Sequence, residues 1–386
     1  MNTLLKYLDG VRLTPEIISL FNQRENAIKK AIEEHKLETV VWECTKRCDI
    51  ECRHCGTPPD KHECRNELNT NQAKELFSRL DDAFTLENLT CVSITGGEPT
   101  VRNDLIKMVE HIKSFGVSQI VTHTNGHRIS KAPVLVKRLV SAGLTGIGVN
   151  LDGLSENHNW LRCQPDAFDC SISALQRSKD SGVDTLVSTV LTKRVLQDLP
   201  ALGELLCELC PDRWRLLPIE PIGRAPGTLA EELLSPEDLV EILGFVLDCQ
   251  TQELPFVVEM GCGQWYGKAL EGLVRPYIWH CIAGINVLGI MSNGAIGACN
   301  NIDRSYCQGN ILIDDVKDVW EHRFDAFREK VFGRSGECED CSDWFLCRGG
   351  EMHMRDAEGK RISSCFFKWL EAEQHKPDAH EIERNS

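Results

Sequence analysis

No run of about eighteen apolar residues occurs in the 386-residue chain, so no bilayer-crossing helix is expected. Nor does the stretch from Met1 to Leu20 read as a secretion signal, because acidic and basic residues interrupt it before an apolar core builds up. Positive charge is also short: 43 Lys and Arg stand against 58 Asp and Glu, a formal net charge of −15. That balance argues against a nucleic-acid backbone or an anionic membrane as partner. Together these absences place the chain, as an expectation, in the cytoplasm, where reducing thiol pools disfavour structural disulfides.

Cysteine, by contrast, is plentiful, with 19 residues in all. In a reducing compartment such a count points to metal ligands or reactive thiols. Hydrophobic content of 42% leaves ample material for one large domain and a smaller one. Three thiols fall in one short stretch, Cys48-Asp-Ile-Glu-Cys52-Arg-His-Cys55, spaced CxxxCxxC on what reads as the loop leaving a strand. Three thiolates converging from one loop can hold three irons of a cubane cluster, the fourth iron keeping a position open to a non-protein ligand. Zinc is the competing reading, but it usually takes four ligands from two paired knuckles, and no CxxC partner follows closely.

After the apolar run Cys91–Thr95 comes Gly96-Gly97-Glu98-Pro99, by itself only a tight turn at a strand end. Taken with CxxxCxxC, the pair resembles the radical S-adenosylmethionine (SAM) superfamily. The resemblance implies a 4Fe–4S cluster on Cys48, Cys52 and Cys55. It also implies that SAM chelates the open iron while the backbone and carboxylate of Gly96, Gly97, Glu98 and Pro99 hold its methionine amino group.

From Glu38 onward, β-branched runs alternate with helical-period stretches, the pattern of repeated βα units. Strands are expected at 39–43, 90–94, 119–123, 146–151, 185–190 and 214–219, with helices near 71–84, 101–115, 134–142, 168–181 and 199–209. Six such units make an α/β fold, an open partial (β/α)6 barrel, whose chemistry collects at the C-terminal ends of the strands. The cysteine loop, Gly96–Pro99, Thr122–Gly126 and Asn150–Gly153 follow the first four strands in turn. The expected domains are an N-terminal helical segment, 1–37, serving as a lid or packing arm, the barrel at 38–255, and a cysteine-rich α+β domain at 256–386.

The resemblance implies further SAM contacts. His54 stands where an aromatic residue commonly lies beside the adenine. Asn150 holds the place of a polar ribose or carboxylate contact, Arg162 resembles an arginine that pairs with the SAM carboxylate, and Ser188 is a further candidate. The sequence names no catalytic acid or base. Arg224, after the sixth strand, is open between facing a substrate and pairing with a carboxylate of the barrel.

After Pro255 the βα rhythm is expected to stop. Cys281, Gly294 and Cys299 lie on an apparent hairpin, followed by Cys338-Glu-Asp-Cys341, Cys347 and Cys365. Spacing alone suits a four-cysteine zinc site. Together, Cys-x12-Gly-x4-Cys, CxxC-x5-C and the late cysteine resemble the SPASM extension of radical SAM enzymes, which houses auxiliary 4Fe–4S clusters. That resemblance implies one cluster on Cys338, Cys341, Cys347 and Cys365. A first auxiliary cluster would use Cys281 and Cys299, but the family pattern asks for a cysteine where this chain has Glu351. Cys262 and Cys307 are the thiols at hand to compensate, and Glu351 or His353 the non-thiolate alternatives. Cys64, Cys91, Cys163, Cys170, Cys207, Cys210 and Cys249 read as small buried hydrophobes.

The resemblance implies an oxidoreductase that uses a 5′-deoxyadenosyl radical to crosslink, epimerise or oxidise a peptide or protein side chain. A flavodoxin- or ferredoxin-type donor would supply electrons. The alternatives are a tetrapyrrole side-chain oxidase or decarboxylase and, from another class, an iron–sulfur electron carrier without SAM chemistry.

Overall fold

A computed structural model describes residues 15–59, 64–329 and 334–374. One ten-stranded sheet organises them, in the order β10-β9-β8-β1-β2-β3-β4-β5-β6-β7. Its strands are β1 (Thr39–Glu43), β2 (Cys91–Thr95), β3 (Gln119–Thr124), β4 (Gly146–Asn150), β5 (Asp184–Leu191), β6 (Arg213–Pro218), β7 (Val257–Met260), β8 (Val287–Ile290), β9 (Ala295–Gly297) and β10 (Gly309–Asn310). From β8 through β1 to β7 every pairing is parallel, and β9 and β10 add an antiparallel margin.

Helices cover the outside of the sheet because their apolar residues recur with helical period. In Thr70–Phe84, Ala73, Leu76, Phe77 and Leu80 are all buried, on one face. Its start is fixed by Asn69, which accepts from the N–H groups of Asn71 and Gln72, while Gln72 reaches back to the Asn69 N–H. Trp42 and Trp214 on the strands are wholly buried beneath such helices. Burying each large apolar side chain contributes about 2–3 kcal/mol.

The six expected strands form, each within a residue or two of its expected limits. The rhythm does not stop at Pro255: helix Pro236–Gln250 leads into β7, a seventh parallel strand against β6, and β8 returns to pair with β1. Both are only four residues long and lie in a stretch rich in glycine and cysteine, so their β-branched residues (Val257, Val258; Val287, Ile290) form only short runs. The C-terminal segment thus extends both sides of the barrel sheet.

Residues 1–14 of the N-terminal segment lie outside the described residues. The following helix, Pro15–Glu34, is a packing arm: Phe21 packs with Trp265 and Ile278, and the buried Arg24 donates to the carbonyls of Trp279 and Leu346. Helix Ser155–Arg162, not expected as a helix, carries Arg162 to the site on its last turn.

Candidate functional site

The cysteine loop leaves the C-terminal end of β1, as expected, and is held there by backbone. Gly97 N–H donates to Thr45 O at 2.7 Å and Glu98 N–H to Arg47 O at 2.8 Å, so the glycine turn after β2 is laced to the residues that lead into Cys48. A Cβ on Gly96 would stand 2.3 Å from Thr45 O, and one on Gly97 2.3 Å from Arg47 O. Only glycine permits that approach. On the other side, Arg224 N–H donates to Cys55 O at 2.9 Å, and its guanidinium to Cys52 O at 3.1 Å. Arg224 therefore clamps the cysteine loop rather than pairing with a barrel carboxylate.

Cys48, Cys52 and Cys55 line one cavity of about 190 Å3 together with His54, Gly96, Gly97, His123, Asn125, Asn150 and Arg162. Burial pushes the Cys48 thiol up to about 12, so its thiolate requires a positive partner. Ligation to iron supplies one. His54 is driven down to about 3 by burial and by the nearby Arg162 cation, and its Nδ1 is buried without a hydrogen-bond partner among the described residues. A neutral ring with an unmet polar atom facing this cavity fits a ligand-contacting position. Ser188 does not line the cavity; it is buried on β5 opposite Asn150.

Glu98 has protein partners of its own. Its carboxylate is buried and takes four bonds from protein: Thr100 N–H at 3.0 Å, Thr100 Oγ1 at 2.6 Å and Thr124 Oγ1 at 2.9 Å on one oxygen, and Asn125 N–H at 2.7 Å on the other. Burial raises its pKa against the pull of these bonds. The side chain ties β2 to the loop after β3, and the part of this turn that faces the cavity is Gly96 and Gly97.

Arg162 likewise has a protein partner. Its guanidinium grips the buried Asp152 carboxylate at 2.6 Å and donates to Cys52 Sγ at 3.7 Å. Burial raises Asp152, but Arg162, with His54 and His158, outweighs it and holds the carboxyl below its ordinary value. Asn125 Nδ2 similarly reaches Cys48 Sγ at 3.8 Å and Asp49 Oδ1 at 2.8 Å. Asp152, Thr124 and Asn125 escaped the sequence reading as site residues; the signal was their place at the C-terminal ends of β3 and β4.

In the C-terminal segment, Cys338, Cys347 and Cys365 share one neighbourhood, since the charges of all three bear on Arg361. Lys368 lies by Cys341 and Cys365. Cations thus flank this thiol set, and Arg334 donates to the carbonyls of Cys338 and Cys341. A second set forms where β7 ends and the β8–β9 hairpin passes. Cys262 lies within reach of the charges of Cys281, Glu220, Cys299 and Glu351. Burial raises Cys299 to about 11. Cys307 instead lies against β9, its Sγ 3.5 Å from where a Cβ of Gly297 would stand. Burial alone would lower His353, but the Glu220 carboxylate at 2.6 Å outweighs it and raises the imidazole to about 9.

A single zinc holds thiolates at about 2.3 Å, which sets them under about 4 Å apart. Among the described residues, the group packed within 4.8 Å is His127, Asp166 and Cys170, and none of the three cysteine sets is that tight. Lys131 Nζ lies 2.6 Å from His127 Nε2, at the edge of that group. Of the cysteines expected to be buried, Cys170 and Cys249 are, whereas Cys163, capping the helix that carries Arg162, is exposed.

Residues 42–206 match the model of the radical SAM superfamily, and residues 281–342 that of the SPASM iron–sulfur cluster-binding domain. The chain therefore carries a radical SAM domain followed by a SPASM domain. The first binds a 4Fe–4S cluster and SAM, and the second auxiliary iron–sulfur clusters. Among curated relatives, mycofactocin maturase MftC of Mycolicibacterium smegmatis is 28% identical over 88% of this chain and 86% of its own length. The AdoMet-dependent heme synthase of Nitratidesulfovibrio vulgaris is 24% identical over 85% and 92%. Streptococcus suis SuiB bound to its precursor peptide SuiA shares the fold, at TM-score 0.65 and 21% identity over 89% of this chain and 80% of that one. No helix among the described residues is long and apolar enough to cross a membrane.

Proposed function

We propose that this radical SAM enzyme oxidatively modifies a side chain of a peptide or protein, with residues 38–255 supplying the radical and residues 256–386 the auxiliary iron. Cys48, Cys52 and Cys55 hold the SAM-binding cluster, and Cys338, Cys341, Cys347 and Cys365 an auxiliary one. When bound, cluster and SAM together supply a 5′-deoxyadenosyl radical able to remove hydrogen from an unactivated carbon, and an auxiliary cluster supplies a one-electron partner. The backbone of Gly96 and Gly97, with His54 and Asn150, orients SAM. Arg162 and Asn125 lean on the cluster thiolates and favour their charged form.

One observation carries this reading. A cavity of about 470 Å3 runs from Gly56 and Pro58, just after Cys55, to His353 and Arg355 beside the auxiliary thiols, with Ile222 and Asn300–Arg304 as walls. A side chain held there lies between the source of the radical and an acceptor of the second electron, which suits net oxidation. The peptide substrate class follows the MftC and SuiB likenesses. The electron donor is a flavodoxin- or ferredoxin-type protein. An electron carrier without SAM chemistry is set aside by the radical SAM domain itself.

A tetrapyrrole substrate is the second reading, favoured by the heme synthase likeness along nearly the whole of that relative. Anaerobic incubation with dithionite, SAM and either a short peptide encoded beside this chain or an iron coproporphyrin separates the two. SAM-dependent loss of two hydrogens from the peptide supports the first reading, and loss of carboxylate from the porphyrin alone overturns it.

A further inference from the structure

We propose that Glu351 supplies an oxygen ligand to an iron–sulfur cluster whose other ligands are Cys262, Cys281 and Cys299. The proposal rests on the radical SAM and SPASM reading above and deepens it at one site, where Cys262, Cys281 and Cys299 lie within reach of one another's charge. The carboxylate of Glu351 is wholly buried. One oxygen meets Arg361 Nη2 at 3.5 Å, at the limit of a hydrogen bond. The other, Oε2, is buried with no hydrogen-bond partner among the described residues.

A buried carboxylate oxygen left unmet costs about 1–3 kcal/mol or more, so Oε2 needs a partner beyond Arg361, which meets only the other oxygen. The three thiols supply the setting for one. Cys262 is accessible by surface area and lies within reach of the charges of Cys281, Glu220, Cys299 and Glu351. A second orphan stands at the same place: the Tyr266 hydroxyl is buried without a partner among the described residues, 4.0 Å from where a Cβ of Gly263, next to Cys262, would lie. His353 and Glu220 engage each other at 2.6 Å, so each already has a partner, which leaves Glu351 as the side chain with an open donor atom.

The ligand type matters. Carboxylate is harder than thiolate, so iron held by Glu351 is more exchangeable than iron held by sulfur. A cluster held this way would be differentiated at the iron that Glu351 binds.

The test uses the full chain with Cys48, Cys52 and Cys55 changed to Ala, which removes the SAM-site iron from the count. After anaerobic reconstitution with iron and sulfide, about eight irons per chain are expected, with about one in eight showing the Mössbauer shift of oxygen-ligated iron. Glu351→Cys keeps about eight irons and loses that distinct subsite, while Glu351→Ala gives up about one iron on mild oxidation and develops the EPR signal of a three-iron cluster. Either of two results overturns the proposal: identical Mössbauer spectra with Glu and Cys at this position, or only about four irons before any change to Glu351. If Glu351→Ala fails to fold, the comparison of Glu351 with Glu351→Cys still decides. No auxiliary iron at all would instead defeat the SPASM reading beneath it.

Discussion

The SAM-site loop and the Cys262, Cys281 and Cys299 set are built on different plans. Around Cys48, Cys52 and Cys55 the chain itself sets the frame: backbone bonds from Gly97, Glu98 and Arg224 fix the loop, Glu98 has four donors, and Arg162 has Asp152, while His54 Nδ1 is unpartnered among the described residues. Around Cys262, Cys281 and Cys299 the Glu351 Oε2 and the Tyr266 hydroxyl have no hydrogen-bond partner among the described residues. A site that must admit and release SAM gains from a frame set by the chain. A site with a resident cluster can leave part of its own satisfaction to the metal.

The comparison is tested most severely at Gly97. In Gly97→Ala the new methyl would collide with the carbonyls of Arg47 and Lys46, which are backbone and cannot swing away. The expected result is loss of about four irons, those of the SAM site, with the auxiliary iron retained. Full iron content in Gly97→Ala would show that the loop is not set by this contact. Arg162→Met comes next. It strands a buried Asp152 carboxylate and should cost about 3–5 kcal/mol in denaturant unfolding, whereas a cost below about 1 kcal/mol would mean that the pair is not a structural brace.

Glu98→Ala ranks third. Removing the acceptor of four bonds should destabilise the protein by about 2–4 kcal/mol. If Glu98 only braces the loop, SAM affinity should fall in Glu98→Gln no further than stability does. Selective loss of SAM binding at unchanged stability would return the carboxylate to the ligand. Ser188→Ala marks the small end, with a change within about 0.5 kcal/mol and no measurable shift in SAM affinity. A tenfold loss of affinity there would mean that Ser188 reaches the bound ligand.

These differences also explain what the sequence made legible. The SAM-site thiols are contiguous, and the turn that holds them sits directly after a β-branched strand, so motif, strand end and βα rhythm all pointed to one place. Glu98 was legible as a motif residue, but its bonds to Thr124 and Asn125 were not, because these come from the end of β3 and the loop after it and only the folded chain brings them to it. Arg162 was found, but the partner that holds it, Asp152, lies ten residues earlier on a separate element. Cys262 and Glu351 are 89 residues apart, and nothing in local periodicity links them. The short strands β7 and β8 were hidden for a related reason: each is only four residues long, and only the folded chain shows their pairing with β6 and β1.

The central claim, that Cys48, Cys52 and Cys55 support SAM cleavage in a frame set by the chain, is tested most directly by one measurement. It is the amount of 5′-deoxyadenosine formed anaerobically with dithionite and SAM by the reconstituted protein and by its Cys48/Cys52/Cys55→Ala variant. The account predicts steady formation by the first and none above background by the second, whose auxiliary iron remains. Equal amounts from both, or none from the fully loaded protein, would contradict it.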